Sequence, residues 1–347
     1  MITLDTYTTF GVGGPARVFA EVTTSMELID AVRTADSAGE PLFVLSGGSN
    51  VLVGDSGFLG TVVHVATKGV TDDGWVAAGE VLDDFVAQSV EQGRAGLEAL
   101  SGIPGLVGAA PVQNVGAYGA EIAQVVRAVR VWDRLAGEQI TLSAPECGFR
   151  YRSSVFKRSL QPARPAMAGG AQATGRFVVL AVQFDLAASP LSAPIAYAEL
   201  AERLGVETGA RAPLAEVRSA VLEIRRSKGV VFDPADPDTH GAGSFFTNPV
   251  VGTAAAAALP PDAPRFGPPG GGVKTSAAWL IEHAGFPRGY GSGPAKLSSK
   301  HVLVLTNQGG ATAADVVALA REIRAGVEAR FSITLEPEPV LVGIDLG

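Results

Sequence analysis

The nineteen-residue run from Ser101 to Gly119, Ser-Gly-Ile-Pro-Gly-Leu-Val-Gly-Ala-Ala-Pro-Val-Gln-Asn-Val-Gly-Ala-Tyr-Gly, carries no charge and no regular period. Neither a 3.6-residue nor a two-residue repeat of apolar positions runs through it, so it forms neither a long amphipathic helix nor a half-buried strand. Its glycines mark places where the backbone comes close to something or takes a positive φ. Its other side chains are apolar or small, unlike those of an ordinary wet loop. Two readings stand: the run wraps a ligand, or it is a tightly packed structural crossing.

The rest of the chain has to supply what such a run packs on. Of 347 residues, 47% are hydrophobic and 18% charged, enough apolar surface for two or three domains. A net charge of −8 argues against a nucleic-acid partner, which needs a basic surface to neutralise phosphates. One cysteine, Cys147, allows no intrachain disulfide, and four scattered histidines without HExxH spacing give no zinc site. No apolar run approaches the ~20 residues of a membrane span. The start, Met-Ile-Thr-Leu-Asp-Thr-Tyr, lacks the basic and apolar regions of a signal peptide, so a cytoplasmic protein is expected.

Residues 11–16 formally fit GxGxxA, but the next residues, Arg17–Val22, read as a strand, whereas the dinucleotide fingerprint needs a helix there. A helix is expected over 25–38 with Ser25 as its cap, then a buried strand over 42–45. The adjoining loop Ser46-Gly-Gly-Ser-Asn50 is either an anion-binding nest of backbone N–H groups or a plain turn. Further strands are expected at 51–53, 60–65, 75–78, 125–132, 140–142, 177–186, 301–306 and 331–335. Helices are expected at 81–92, 195–204, 214–226, 275–284 and 311–330. Residues 162–174, 187–194 and 252–272 read as loops, the last a low-complexity surface loop. A domain boundary is expected near 220. In Phe149-Arg-Tyr-Arg-Ser153, an extended backbone would aim Arg150 and Arg152 the same way, as a solvated edge or a carboxylate or phosphate pocket. Arg225-Arg226-Ser227-Lys228 is a solvated helix end or the entry to an anion site. Gly243-Ser-Phe-Phe-Thr-Asn-Pro249 sets a serine and an asparagine between a glycine turn and a proline. Glu336-Pro-Glu-Pro339 holds two carboxylates between prolines, a polar exit or a rigidly held acid.

Seven of these segments, in this order, together resemble UDP-N-acetylmuramate dehydrogenase, also called UDP-N-acetylenolpyruvoylglucosamine reductase. They are Thr9–Ala16, Leu45–Asn50, Gly102–Gly119, Phe149–Lys157, Gly243–Pro249, Ala278–Glu282 and Leu335–Glu338. The resemblance covers essentially the whole chain and points to the longer subclass, which has a substrate-closing tyrosine. It implies an α+β fold: an FAD-binding part of the vanillyl-alcohol-oxidase type in two subdomains, 1–66 (joined by the tail 337–347) and 67–220, and a C-terminal α/β substrate-binding domain, 221–336. FAD would be the cofactor and NADPH the co-substrate. The enolpyruvyl ether of UDP-N-acetylglucosamine would take hydride at C3 and a proton at C2, in peptidoglycan precursor synthesis.

Residue by residue, the resemblance makes Arg152 the group that polarises the substrate carboxylate, Glu338 its assistant and Ser244 the proton donor. Gly47, Gly48, Ser49 and Asn50 would line FAD. So would Gly108, Ala109, Gln113 and Asn114, with Gly116, Ala117 and Tyr118 at the end of the run. Tyr197 would close over the nucleotide, and Lys228, Asn248 and Lys274 would contact substrate. No metal, nucleic acid or membrane partner is implied, and a monomer is expected. Pro339, Ser153 and the pair Ala109–Ala110 depart from the family pattern. A related FAD-dependent oxidase and a non-catalytic sugar-nucleotide-binding protein are the alternatives.

Overall fold

The computed structural model describes residues 2–160, 173–267 and 272–347. Their contacts group into two units. The first comprises Met1–Ile2, Ala16–Gly48 and Phe58–Ser227, the second Thr3–Pro15, Ser49–Gly57 and Lys228–Gly347. The expected ranges 1–66, 67–220 and 221–336 cut the chain differently. A boundary near 220 would fall inside the helix Leu214–Ser227, whose Leu214, Val217, Val221 and Ile224 are buried in the first unit.

Among the described residues, the first unit holds two larger sheets and two two-stranded ones. A parallel one has the strand order Ala16–Val22, Phe58–Val65, Leu42–Leu45. An antiparallel one has the order Glu138–Ser143, Val126–Asp133, Phe177–Phe184, Trp75–Ala77. One core joins them: Val63 and Val65 of the first pack in the same cluster as Val129, Val131, Leu180 and Val182 of the second. The helix Ser25–Ser37 buries Leu28, Val32 and Ala35. Its cap is Thr24, not Ser25. The Thr24 hydroxyl accepts from Glu27 N at 3.1 Å and the Glu27 carboxylate accepts from Thr24 N at 3.1 Å, a reciprocal pair that fixes the helix start one residue earlier.

The second unit is built on the helix Ala313–Phe331, which turns Val316, Val317, Ala320, Ile323 and Val327 into the core. Thr312 closes a capping box with Asp315, and Asp55 accepts from Ala313 N and Ala314 N at 2.7 and 3.0 Å. Val51–Val53 pairs in parallel with Val340–Val342. The expected strand over 331–335 is absent. Phe331 ends the helix, Ser332 turns left-handed at φ 55°, and the strand comes later, at Val340–Val342. In the apolar run 301–306 only Leu305 and Thr306 lie in a strand, Leu305–Asn307, paired with Ala295–Leu297.

The expected loop 252–272 contains a helix, Thr253–Ala258, and a strand, Arg265–Phe266. Alanine has the highest helix propensity, so five in a row favour a helical turn where low complexity suggested a loop. Residues 268–271 of that range, and 162–172 of the expected loop 162–174, lie outside the described residues. In 187–194, Ala187–Ala188 pairs with Arg94–Ala95.

Candidate active site

In the first unit the Ser101–Gly119 run packs on the chain itself. A Cβ on Gly108 would sit 2.5 Å from Ala78 Cβ, one on Gly116 2.7 Å from Ala120 O, and one on Gly119 2.9 Å from Ala196 Cβ. Across the sheet edge, a Cβ on Gly47 would meet Gly105 Cα at 2.8 Å. Close packing therefore accounts for these four glycines. Gly48, at φ 60°, needs the conformational freedom itself.

Beyond its glycines, the run is strained where it turns. Four non-glycine residues among those described have positive φ, and three belong to the expected site: Asn114 at 48°, Tyr118 at 50° and Arg152 at 49°. Such backbone costs energy and collects where a structure holds a side chain in one place. Gly116–Ala117 pairs with Ala120–Glu121, so Tyr118 and Gly119, both at positive φ, form a two-residue hairpin turn. Asn114 is buried and spends its amide on the protein. Its Nδ2 donates to Glu121 Oε2 (2.7 Å) and to Arg150 O (3.1 Å), and its Oδ1 accepts from Ala123 N (3.1 Å). Its place is to hold the run against the arginine segment. Ala109 closes a short 3₁₀ turn, Val107–Ala109, and Gln113, Gly116 and Ala117 are half-buried.

The extended reading of Phe149–Ser153 gives way to a turn. Arg150 N donates to Ser153 O (2.8 Å) and Ser153 N to Arg150 O (3.1 Å), which places Tyr151 and Arg152 at the tip. Asn114 on Arg150 O fixes one side, and Ser154, which caps the helix Val155–Arg158 and donates to Val112 O, fixes the other. Arg150 and Arg152 therefore do not point one way along a strand. Arg152 is half-buried, and its Nη2 donates to Gly116 O at 3.0 Å, so the arginine is tied to the Tyr118 hairpin.

Tyr197 immediately precedes the helix Ala198–Leu204 and is 42% exposed. Its ring meets that of Tyr118 edge to face, centroids 5.5 Å apart. Burial pushes the Tyr118 phenol up to about 12, with the Arg225 guanidinium pulling the other way. Burial, aided by the Glu146 charge, likewise pushes the Cys147 thiol up to about 12. Both groups hold their protons more tightly folded than at their ordinary values of 10.0 and 9.0. Their contribution to stability is complete below about pH 9 and falls as pH rises toward 12. The urea midpoint should therefore decline across that window. A midpoint constant from pH 9 to pH 12 would contradict both assignments.

In the second unit, Ser244 follows Gly243 (φ 68°) and bridges to Val304, while Phe245 N donates to Leu303 O at 2.8 Å. On the other side of this segment Glu338 N donates to Phe245 O (2.8 Å) and Thr247 N to Glu336 O (3.0 Å). Backbone pairing thus brings Ser244 and Glu338, far apart in sequence, onto adjacent segments. After Pro339, Val340 N donates to Asn50 O at 3.0 Å and the strand Val340–Val342 begins. Asn248 Oδ1 accepts from Ala277 N (2.9 Å) at the start of the helix Ala277–His283, so half of this amide is structural. Lys274 lies between Val250 and Phe266 across a small sheet, its ammonium 5.9 Å from the Phe266 ring centroid. Lys228 is half-buried just past the helix Leu214–Ser227.

Of the two readings open for Arg225, the structure removes one. At 9% exposure it is no solvated helix end. The signal was available: Arg225 continues the helical spacing of Leu214, Val217, Val221 and Ile224, the buried face.

The residues present fit a flavin nucleotide. Ser46, at the carboxyl end of the parallel strand Leu42–Leu45, has a buried Oγ with no hydrogen-bond partner among the described residues. A buried hydroxyl without a partner is costly, and a bound polar group would satisfy it. Gly48 beside it supplies the left-handed turn of an anion-binding loop. Among the described residues no cluster of three or more His, Cys, Asp or Glu could hold a metal ion, and no helix is long and apolar enough to cross a membrane.

Comparison with known proteins shows the family. Residues 16–143 match the family described as FAD binding domain. Residues 234–342 match the one described as UDP-N-acetylenolpyruvoylglucosamine reductase, C-terminal domain. A protein of Thermobifida fusca named UDP-N-acetylenolpyruvoylglucosamine reductase is 52% identical, over 99% of this chain and 98% of that protein. One of the same name from Streptomyces coelicolor is 50% identical, over 98% and 88%. The crystal structure of UDP-N-acetylenolpyruvylglucosamine reductase from Thermus caldophilus superimposes with a TM-score of 0.67 at 28% identity, covering 98% of this chain and 97% of that one.

The fold and the matches define an FAD-dependent oxidoreductase of α+β class, with an FAD-binding domain of the vanillyl-alcohol-oxidase type, FAD as cofactor and NADPH as the reductant. The chain belongs to the UDP-N-acetylenolpyruvoylglucosamine reductase family.

Proposed function

We propose that the protein reduces UDP-N-acetylglucosamine enolpyruvate to UDP-N-acetylmuramate, acting as a monomer in cytoplasmic peptidoglycan precursor synthesis. The observation that carries this reading is the 52% identity, over 99% of the chain, to a protein bearing the reductase name. When bound, FAD supplies the hydride relay, from NADPH to flavin N5 and from N5 to C3 of the enolpyruvyl group.

The chain's own residues handle charge and the proton. Hydride at C3 leaves carbanion character at C2, conjugated with the substrate carboxylate. Arg152 is assigned to that carboxylate. Its guanidinium suits the task because it presents a planar fork of donors, and the turn at Tyr151–Arg152 limits where that fork can go. Glu338 assists on the carboxylate side. Ser244 gives its hydroxyl proton to C2. A serine is a weak acid, but an enolate-like carbon is basic enough to take the proton from a well-placed hydroxyl. Ser46–Asn50 and Gly102–Tyr118, Asn114 included, are assigned to FAD, with the Asn114 amide also holding the run against Arg150 O. Tyr197, Lys228, Lys274 and Asn248 are assigned to the sugar nucleotide.

Anaerobic spectroscopy tests this reading. Reduced protein should recover its oxidised flavin spectrum when the enolpyruvyl substrate is added and yield UDP-N-acetylmuramate. Reoxidation by oxygen alone, with no response to that substrate, would favour the related oxidase instead.

A further inference from the structure

The proposed chemistry makes no use of Arg265, yet its side chain gathers the whole stretch before it. Pro260, Pro261 and Pro264 remove backbone N–H donors from the segment that follows the helix Thr253–Ala258. The carbonyls at the end of a helix then need another donor. Arg265 supplies it. Among the described residues, its Nη2 donates to Leu259 O (2.8 Å), Pro260 O (3.0 Å) and Ala256 O (3.2 Å). Its Nη1 donates to Ala263 O (3.0 Å) and Pro261 O (3.2 Å), and its Nε to Ala256 O (3.3 Å). A guanidinium holds its donors in a fixed plane, so these carbonyls are arranged around one rigid group. Leu259 and Ala263 bury their side chains in the second unit's core, which seats this cage on the fold.

The cage ends where a short strand begins. Arg265–Phe266 pairs with Thr275 and Lys274, at one edge of a three-stranded sheet whose middle strand is Val273–Thr275. A ladder of two residues is too short to hold a strand by itself. The Arg265 cage supplements it, as does the Thr275 hydroxyl, which donates to Pro264 O at 2.8 Å. The register sets Phe266 opposite Lys274 and puts its ring centroid 5.9 Å from the ammonium, within cation–π reach. On the other edge Val250, two residues past Asn248, lies opposite Lys274. Lys274 and Asn248 are both assigned to the sugar nucleotide in the proposed reaction.

We propose that Arg265 is a positioning residue for the sugar-nucleotide site. By caging the carbonyls of 256–263, it fixes the edge strand Arg265–Phe266 against Val273–Thr275. The Phe266 ring and the strand backbone then confine the Lys274 side chain, so that its ammonium meets an anionic oxygen of the bound nucleotide with less rotamer freedom to lose. Arg265 itself touches no substrate; it acts through Lys274.

The inference rests on the proposed reductase activity and on the assignment of Lys274, and its test separates them. In the FAD-loaded protein, Arg265→Met, Lys274→Met and the Arg265→Met/Lys274→Met double variant are compared with the parent. The readouts are KM and kcat for UDP-N-acetylglucosamine enolpyruvate and the calorimetric Kd for UDP-N-acetylmuramate. Lys274→Met should raise KM and Kd about tenfold or more, the scale of one charge-assisted hydrogen bond. Arg265→Met keeps an unbranched apolar stem and removes every donor. It should raise both about three- to tenfold, with kcat changed less than about twofold. A variant that is merely less stable loses active molecules, which lowers kcat and leaves KM alone. The double variant should match Lys274→Met, because nothing is left to position. Unchanged KM and Kd in Arg265→Met would overturn the proposal, as would a fall in kcat with KM unchanged, or effects that multiply in the double variant. Should Arg265→Met not fold, Thr275→Val decides, because it removes the bond to Pro264 O and leaves Arg265 in place. It should raise KM about twofold or more in the parent and not in Lys274→Met; an unchanged KM in the parent overturns the proposal. A parent that binds UDP-N-acetylmuramate without reducing the enolpyruvyl substrate defeats the functional reading alone, since the Kd series still tests Arg265. A parent that does neither defeats both, and an active parent with multiplying effects defeats only the role of Arg265.

Discussion

Ser244→Ala should leave reduction of the flavin by NADPH nearly unchanged and slow the second half-reaction, with the enolpyruvyl substrate, by ~10²–10⁴-fold. The local structure makes this a clean deletion. Ser244 is held by its backbone, through the bridge to Val304 and the Phe245 N to Leu303 O bond on one side and the Glu338 N to Phe245 O bond on the other. None of these bonds uses the hydroxyl, so alanine removes the proton donor and keeps the ladder. Single-turnover absorbance traces separate the halves, because the first bleaches the flavin and the second restores its colour. Equal slowing of both would remove Ser244 from the proton-transfer step.

Gly108→Ala should destabilise the first unit by about 1–3 kcal/mol, the range for overpacking a dense interior, and weaken flavin retention. The added methyl would lie 2.5 Å from Ala78 Cβ and 2.9 Å from Ala78 Cα. The segment cannot simply back away. Gly108 N donates to Ala78 O at 2.9 Å, and Val107 N to Glu80 O at 2.8 Å, so moving it breaks buried hydrogen bonds. Urea unfolding and flavin content after gel filtration measure the two effects. A parental urea midpoint would show that the run is looser at Gly108 than this packing requires.

That contact also shows what the sequence could and could not tell. The small residues of Ser101–Gly119 were visible, but what they are small for was not. Gly108 lies against Ala78, Gly47 against Gly105 and Gly119 against Ala196, pairings that no local pattern encodes. Amphipathic helices were legible because their periodicity is local. Leu28, Val32 and Ala35, or Val316, Ala320, Ile323 and Val327, mark a buried face without reference to the rest of the fold. Two short apolar runs were not, although others, such as Leu42–Leu45 and Val51–Val53, were. Residues 301–306 enter a ladder only at Leu305, and 331–335 splits between a helix end and an unpaired segment, since apolarity alone does not say which backbone groups find a partner.

The arginine turn failed for the opposite reason. Alternating aromatics and arginines look extended, but reciprocal Arg150–Ser153 bonding and the Asn114 amide fold the segment back on itself. Ser244 and Glu338 could be paired in advance only through the family resemblance, because the backbone bond that joins their segments spans most of the second unit's sequence.

One absorption measurement of the purified protein tests the flavin chemistry most directly. Under anaerobic conditions it should show the bands of oxidised flavin, lose them on addition of NADPH, and regain them on addition of UDP-N-acetylglucosamine enolpyruvate. A colourless protein that takes up no FAD on reconstitution, or a flavin that NADPH does not bleach, would contradict it.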